Sequence, residues 1–160
     1  MEVPAEQLIG ELHGGWRVLM ATLDYERVTS EKVGTVLWLL DALAPLAKDR
    51  WARREVNRLR GAAAAARLHG HRAAQLLEMG RPASAQSSMA KLSIAELMQR
   101  VAAFAVDLLG PEGLLEEGTA TLRGRVAAFQ RASVATTISG GASEIQRTVI
   151  ARRELDLPPR

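Results

Sequence analysis

The chain has 160 residues, of which 48% are hydrophobic and 24% are charged, with a formal net charge of +3 at pH 7. This length and balance predict one folded domain and exclude extended disorder. The sequence has no cysteine, three histidines and 4% aromatic residues, which excludes disulfides, thiolate nucleophiles and cysteine-bound zinc, and argues against an imidazole metal cage and a base-stacking surface.

The longest apolar stretch runs over residues 34–47 and contains Asp41 and Pro45. At about 14 residues it is shorter than the roughly 20 that a membrane-spanning helix needs, so it predicts a buried core helix. The N-terminus lacks the basic and apolar segments of a secretory signal. We therefore expect a cytoplasmic protein without a membrane span.

The first third of the chain predicts two helices after a short lead-in. Residues 1–14 have no helical periodicity and are expected to be extended, and a short helix then follows and breaks near Asp24. Asp24 is a plausible N-cap for a longer helix that ends near Pro45. The apolar positions of that helix extend beyond a single stripe, so we expect other helices to surround it almost completely.

Four further helices complete the pattern, joined in the middle by a polar, glycine-rich connection at residues 112–124. Their predicted ranges are Arg50–Met79, Ser88–Leu109, Arg125–Thr137 and Ser143–Leu155. On the second of them, Lys91, Gln99 and Arg100 take the side opposite the apolar stripe. No segment alternates apolar and polar residues as a strand does. The predicted fold class is all-α, an antiparallel helical bundle formed as a single domain by residues 1–160.

The loop before the last predicted helix contains two adjacent glycines, Gly140 and Gly141. Ser143 and Gln146 have capping-box spacing, which predicts where that helix begins. The free N–H groups at a helix start suit a phosphate or an electron-rich ring edge. An ordinary capped turn explains the same residues, and from these residues alone it is the favoured interpretation.

Charged residues give two further candidate sites. Glu26 directly precedes Arg27, and a carboxylate that faces an apolar bundle must be paired or functional; on spacing, pairing with Arg27 or another arginine is favoured. The arginines between residues 50 and 60 could bind nucleic acid, but Glu55 interrupts them and a solvated face is favoured. Three tryptophans are expected to anchor the core or an interface: Trp16, Trp38 and Trp51.

Four segments carry a more specific pattern. They are, in chain order, VPAEQLIGELHGGWRVLMATLDYER, SSMAKLSIAEL, VDLLGPEG and GGASEIQRTVIARRELDLP. In this order and spacing they closely resemble the C-terminal helical bundle of the acyl-CoA dehydrogenases, and the last segment is the most specific. The resemblance covers essentially the whole chain. It implies the third part of an architecture in which a helical domain and a β-domain come first.

The resemblance also implies a chemistry, in which a glutamate removes the α-proton of an acyl-CoA while the β-hydride passes to FAD. One group of the family carries this glutamate in the terminal loop, at the position of Gly140, which cannot act as a base. Another group carries it directly before an arginine near the start of the long helix, at the position of Glu26. Glu26 is therefore the implied catalytic base, and Glu144 is the second candidate.

The cofactor contacts that the resemblance implies are Gly110, Gly113, Gly141, Ser143 and Glu144. Some positions depart from the family pattern: Asp107 replaces a glutamine and Pro111 a glycine in the adenine segment, and Ala142 replaces a threonine in the terminal loop. The stretch that contacts the neighbouring subunit's flavin is absent after Lys48. We expect FAD in the full enzyme and no stable flavin binding by this chain alone.

Together these observations predict the C-terminal domain of an FAD-dependent acyl-CoA dehydrogenase-like oxidoreductase, inactive as an isolated chain. The expected partners are an acyl-CoA substrate in the full enzyme and a homo- or hetero-oligomeric assembly. The alternative is a non-catalytic assembly module that pairs with a catalytic subunit. No nucleic-acid partner and no metal are predicted.

Overall fold

The computed structural model describes residues 3–28 and 30–158, and its regular structure is helical throughout those ranges. The helices are α1 (Gly15–Glu26), α2 (Ser30–Leu43), α3 (Arg50–Glu78), α4 (Ser84–Leu109), α5 (Arg125–Thr136) and α6 (Ser143–Arg153). Short 3-10 segments occupy Ala5–Gln7, Ala44–Leu46, Gly110–Leu114 and Thr121–Gly124. The described residues contain no strand, which confirms the all-α prediction.

Helix α4 lies at the centre of the bundle. It packs against α3, α5 and α6, and it also contacts α1 and α2. Its inward face is buried because apolar residues recur there at helical spacing, as in Ile94, Leu97 and Val101. Leu40 of α2 and Leu59 of α3 enter the same core. One continuous apolar core therefore joins α2, α3, α4 and α5 of the predicted antiparallel bundle.

The start of α3 is fixed by a capping side chain. Asp49 accepts a hydrogen bond of 2.8 Å at Oδ1 from the backbone N–H of Ala52, which satisfies one of the free donors of the first turn. The helix begins at Arg50 as predicted. Arg53 and Arg54 of the same turn are exposed, as expected for a solvated face.

The junction of α1 and α2 differs from the prediction. Asp24 does not cap a new helix, because it lies within α1, which continues to Glu26; α2 begins at Ser30. The Asp24 carboxylate instead faces Arg27 three positions later, with 3.6 Å between Oδ1 and NH1. That pairing is compatible with helical backbone at Asp24, whereas a capping role requires a helix to start there.

Helix α4 begins earlier than predicted. It starts at Ser84 and not at Ser88, and its first turns already bury Ala85 and Ser87. Serine and alanine carry almost no hydropathy contrast between the two faces of a helix, so the sequence pattern of this turn does not reveal the buried side.

The tryptophans do not anchor the core, whereas their other predicted role, at an interface, stays a prediction. The side chains of Trp16, Trp38 and Trp51 are exposed by 73%, 43% and 62%. Trp38 instead lies under the Arg125 guanidinium, 4.9 Å from the ring centroid, and Trp51 reaches the edge of the core at Phe104, with 6.2 Å between ring centroids. The rings of Trp38 and Trp51 therefore lie on the outer surface of the bundle.

Residues 3–14 lie on the surface of the bundle and are not extended throughout, since they contain the 3-10 turn Ala5–Gln7. Their apolar side chains Ile9 and Leu12 are exposed. Within the described ranges, none of the helices is both long and apolar enough to cross a membrane.

Candidate active site

Glu26 and Gly140 lie next to each other. Glu26 is the last residue of α1, and Gly140 belongs to the loop that joins α5 to α6. A Cβ atom built at Gly140 would lie 3.9 Å from Oε1 of Glu26. The two positions at which the resemblance places a catalytic glutamate therefore share one location in the fold, and only position 26 carries a carboxylate. The Glu26 side chain is exposed.

Arg27 holds the end of α1 against the terminal loop. Its side chain is 3% exposed, and Nε donates a hydrogen bond of 3.1 Å to the carbonyl oxygen of Gly140. The expected pairing of Glu26 with Arg27 or another arginine is not observed among the described residues, and Arg27 faces Asp24 instead. Burial raises the pKa of the Asp24 carboxyl, and the guanidinium groups of Arg27 and Arg153 oppose that rise.

The loop is closed from its other end by Gln146, and the predicted capping box is wrong. Helix α6 begins at Ser143 with Ala142 as its N-cap, no side chain caps it, and the buried Ser143 Oγ has no hydrogen-bond partner. The fully buried Gln146 side chain turns back to the loop instead, where Nε2 donates to the carbonyl oxygens of Gly140 and Gly141 at 3.1 Å each.

The shape of the loop requires glycine at Gly141. Its φ is +103°, and a Cβ atom there would approach Nε2 of Gln146 to 2.5 Å and NH2 of Arg27 to 3.4 Å. Any side chain at this position would therefore push apart the two groups that tie the loop to α1 and α6.

The predicted position of Lys91 on the solvent-facing side of α4 is wrong. Expected on the polar side of α4, Lys91 is 4% exposed, and it lines a cavity of about 20 Å³ together with Glu26, Arg27 and Gly140. Burial, and then the positive charges of Arg27 and Lys32, lower the pKa of Lys91. Helical spacing could have predicted the burial of Lys91, because Lys91 lies three positions before the buried Ile94 and so continues the apolar stripe.

The other sequence-predicted cofactor residues lie in two places. Glu144 is exposed in the first turn of α6. Gly110 ends α4 with a φ of +61°, and a Cβ atom there would meet no heavy atom within 4 Å. Gly113 is buried, and a Cβ atom there would lie 3.2 Å from Cβ of Leu109. Packing against α4 is thus sufficient to explain Gly113, whereas the backbone at Gly110 is open to a ligand.

The arrangement can accept a proton at an exposed carboxylate beside a half-buried glycine loop. Glu26 supplies the carboxylate, and the adjoining loop places two glycines and the start of α6 beside it. The N-terminus of a helix suits an electron-rich group of a ligand. Among the described residues there is no group of three or more histidines, aspartates or glutamates that could hold a metal ion.

A family model described as "Acyl-CoA dehydrogenase, C-terminal domain" matches residues 13–155. The short-chain specific acyl-CoA dehydrogenase of rat mitochondria is 32% identical, over 93% of this chain and 38% of that protein. The acyl-CoA dehydrogenase IpdE1 of Mycobacterium tuberculosis is 34% identical, over 96% of this chain and 41% of that protein. The chain thus spans less than half the length of these relatives.

Solved structures have the same fold. A variant of the Tcur3481-Tcur3483 steroid ACAD matches with a TM-score of 0.89 and 25% identity, over 99% of this chain and 44% of that one. The ChsE4-ChsE5 complex from Mycobacterium tuberculosis matches with a TM-score of 0.81 and 27% identity, over 99% and 44% of the two chains.

Proposed function

The chain belongs to the acyl-CoA dehydrogenase family, and we propose that it serves as the C-terminal domain of an FAD-dependent enzyme that introduces an α,β double bond into acyl-CoA thioesters. The observation that carries this proposal is the carboxylate of Glu26 beside Gly140. The family's base occupies one of these two positions, and this chain keeps a glutamate at one of them.

In the proposed mechanism Glu26 accepts the α-proton of the acyl thioester at its carboxylate. Arg27 positions Glu26, because its Nε holds the end of α1 against the Gly140 carbonyl. Gln146 keeps the loop closed by its two hydrogen bonds. When bound, FAD supplies the acceptor for the hydride that leaves the β-carbon.

We propose two places at which the chain contacts FAD. At the start of α6 they are the backbone of Gly141 and Ser143 and the exposed Glu144; at the end of α4 they are Gly110 and Gly113. The open backbone at Gly110 and the glycine loop support these contacts. Because Asp107, Pro111 and Ala142 depart from the family's flavin-binding pattern, we expect weak flavin binding by this chain alone. We expect turnover only in an assembly that supplies the remaining domains.

The test compares the 160-residue chain with the protein or assembly that contains it. The chain alone should purify without flavin and should not reduce an artificial electron acceptor with acyl-CoA. The flavin-loaded assembly should show acyl-CoA-dependent reduction of the acceptor and release an enoyl-CoA. A flavin-loaded assembly that gives no enoyl-CoA with short-chain, long-chain or steroid acyl-CoA would contradict the proposed function.

A second candidate function is a non-catalytic subunit of a mixed oligomer. Two observations favour it: Asp107, Pro111 and Ala142 depart from the flavin-binding pattern, and two of the similar structures carry paired names, Tcur3481-Tcur3483 and ChsE4-ChsE5. In that case turnover should survive the loss of the Glu26 carboxylate, which the variants discussed below determine.

A further inference from the structure

Helix α1, whose last residue is Glu26, is held to the bundle by little apolar burial. It lies wholly within the described residues, and none of its side chains is buried, whereas α3 and α4 both bury apolar residues along their length. Val18 and Leu23 are half-buried, and Trp16 and Leu19 are exposed. A segment with few buried apolar contacts opens more readily than the core. The position of α1 on the bundle therefore depends on its polar contacts.

Two hydrogen bonds from outside the helix fix the end of α1, one on each side of Glu26. Ser87 Oγ of α4 donates to the backbone carbonyl oxygen of Asp24 at 2.9 Å. Nε of Arg27 donates to the carbonyl oxygen of Gly140 at 3.1 Å. The first bond ties α1 to α4, and the second ties it to the loop before α6. Because Glu26 lies between the two tied residues, both bonds restrict its backbone.

The bond from Ser87 is explained by the way in which α1 ends. The last four carbonyl groups of an α-helix lack partners within the helix. Here the backbone N–H groups that follow α1 bond to the carbonyl oxygens of Leu23 and Tyr25. The carbonyl of Asp24 receives its hydrogen bond from the Ser87 side chain instead.

The part of α4 that faces the end of α1 is polar. Ser87 and Lys91 lie four positions apart, on the same side of α4, and they are 0% and 4% exposed. Lys91 also lines the cavity beside Glu26. Apolar contact is non-directional, whereas a hydrogen bond fixes both a distance and an angle. The hydroxyl of Ser87 therefore does more than add stability, because it specifies where the last turn of α1 lies.

We propose that Ser87 is a positioning residue for the proton acceptor Glu26, an inference that rests on the proposed function. Its hydroxyl holds the carbonyl of Asp24, two residues before Glu26, and so sets where the Glu26 carboxylate lies relative to Gly140. Without this bond the end of α1 keeps its tie to the terminal loop through Arg27 and loses its hydrogen bond to α4. A shift of about 1 Å in a reacting group can cost about 10²-fold in rate.

Two neighbouring serines of α4 give a matched test in the flavin-loaded assembly. Ser87→Ala loses the bond to Asp24. Ser88→Ala is the control, because Ser88 is also 0% exposed and its Oγ has no hydrogen-bond partner among the described residues. Ser87→Ala should lower kcat by about 10-fold to 10²-fold with little change in KM, and Ser88→Ala should keep both constants. Equal kcat values for the two variants would overturn the positioning role.

Hydrogen exchange of the 160-residue chain gives a second test that needs no turnover. The amides of α1 should lose about tenfold of their protection in Ser87→Ala, and those of α3 should change less. Native protection of α1 in Ser87→Ala would refute the role of this bond. If the native assembly gives no turnover, the proposed function fails, and the exchange result still determines whether Ser87 fixes α1.

Discussion

The carbonyl oxygen of Gly140 accepts a hydrogen bond of 3.1 Å from Nε of Arg27, which ties the end of α1 to the loop before α6. Gln146 donates to the same oxygen from the other side. Because Arg27 is buried and directly follows Glu26, the proposed base is held in place by a residue that itself cannot move freely.

Removing the Arg27 guanidinium should destabilise the fold. Arg27→Met loses a charged hydrogen bond and leaves the half-buried Asp24 carboxylate without its opposite charge, so we expect a loss of about 2–4 kcal/mol in the free energy of unfolding, measured with urea. Adding Asp24→Asn should recover part of that loss. If Asp24→Asn changes stability equally in both backgrounds, the two side chains are not coupled.

A side chain at Gly141, the second glycine of the loop, should destabilise the fold. Gly141→Ala places a Cβ atom 2.5 Å from Nε2 of Gln146 at a φ of +103°, so we expect a loss of about 2 kcal/mol or more. The control is Gly61→Ala within α3, where a Cβ atom meets nothing within 4 Å; there we expect a gain of about 0.5–1 kcal/mol. Two equal effects would contradict the proposed role of Gly141.

Much of the fold could be predicted from the sequence, because long helices repeat their apolar residues with a clear period. Helix α3 begins at the predicted Arg50, and α6 begins at the predicted Ser143. The segment that begins at Gly140, with three others in order and spacing, predicted the family, which the match over residues 13–155 confirms. The start of α4 at Ser84 could not be predicted, since a turn of small residues carries little periodic signal.

The interior of the site was less predictable, because it depends on contacts between residues far apart in sequence. The spacing of Ser143 and Gln146 fits both a capping box and a glutamine side chain that bonds to the preceding loop. Only the loop geometry shows that Gln146 does the latter. The charge of Lys91 predicts a position on the solvent side, although its place on α4 continues the buried stripe. Charge type predicts exposure on average and gives the wrong answer at such sites.

Lys91 should make the free energy of unfolding depend on pH in the alkaline range. Burial and the nearby Arg27 and Lys32 lower its pKa below the ordinary 10.5, while Glu144 and Glu96 oppose this. The folded state therefore releases the proton before the unfolded chain does, and the free energy of unfolding rises with pH from the lowered pKa up to 10.5.

Urea unfolding across this range should show a smaller rise for Lys91→Met than for the native protein. A native profile that matches that of Lys91→Met would contradict the lowered pKa.

Glu26→Gln should reduce turnover of the flavin-loaded assembly by about 10²–10⁴-fold, because it removes the proposed proton acceptor and keeps its shape. Flavin content and stability should not change. Glu78→Gln, at an exposed glutamate at the end of α3, is the control and should retain full turnover. Unchanged turnover in Glu26→Gln would exclude Glu26 as the base and favour the non-catalytic subunit.

A carboxylate supplied from the terminal loop should replace the one lost from α1. Because a Cβ atom at Gly140 would lie 3.9 Å from Oε1 of Glu26, the double variant Glu26→Gln/Gly140→Glu brings a carboxylate to the same space. We expect it to regain turnover over Glu26→Gln, although the φ of +65° at this position should destabilise the fold by about 1–2 kcal/mol. Glu26→Gln/Gly140→Gln carries the same shape and strain without the charge, and it should regain nothing. If both double variants bind flavin and turn over at the same rate, the Glu26–Gly140 location is not where the proton is removed.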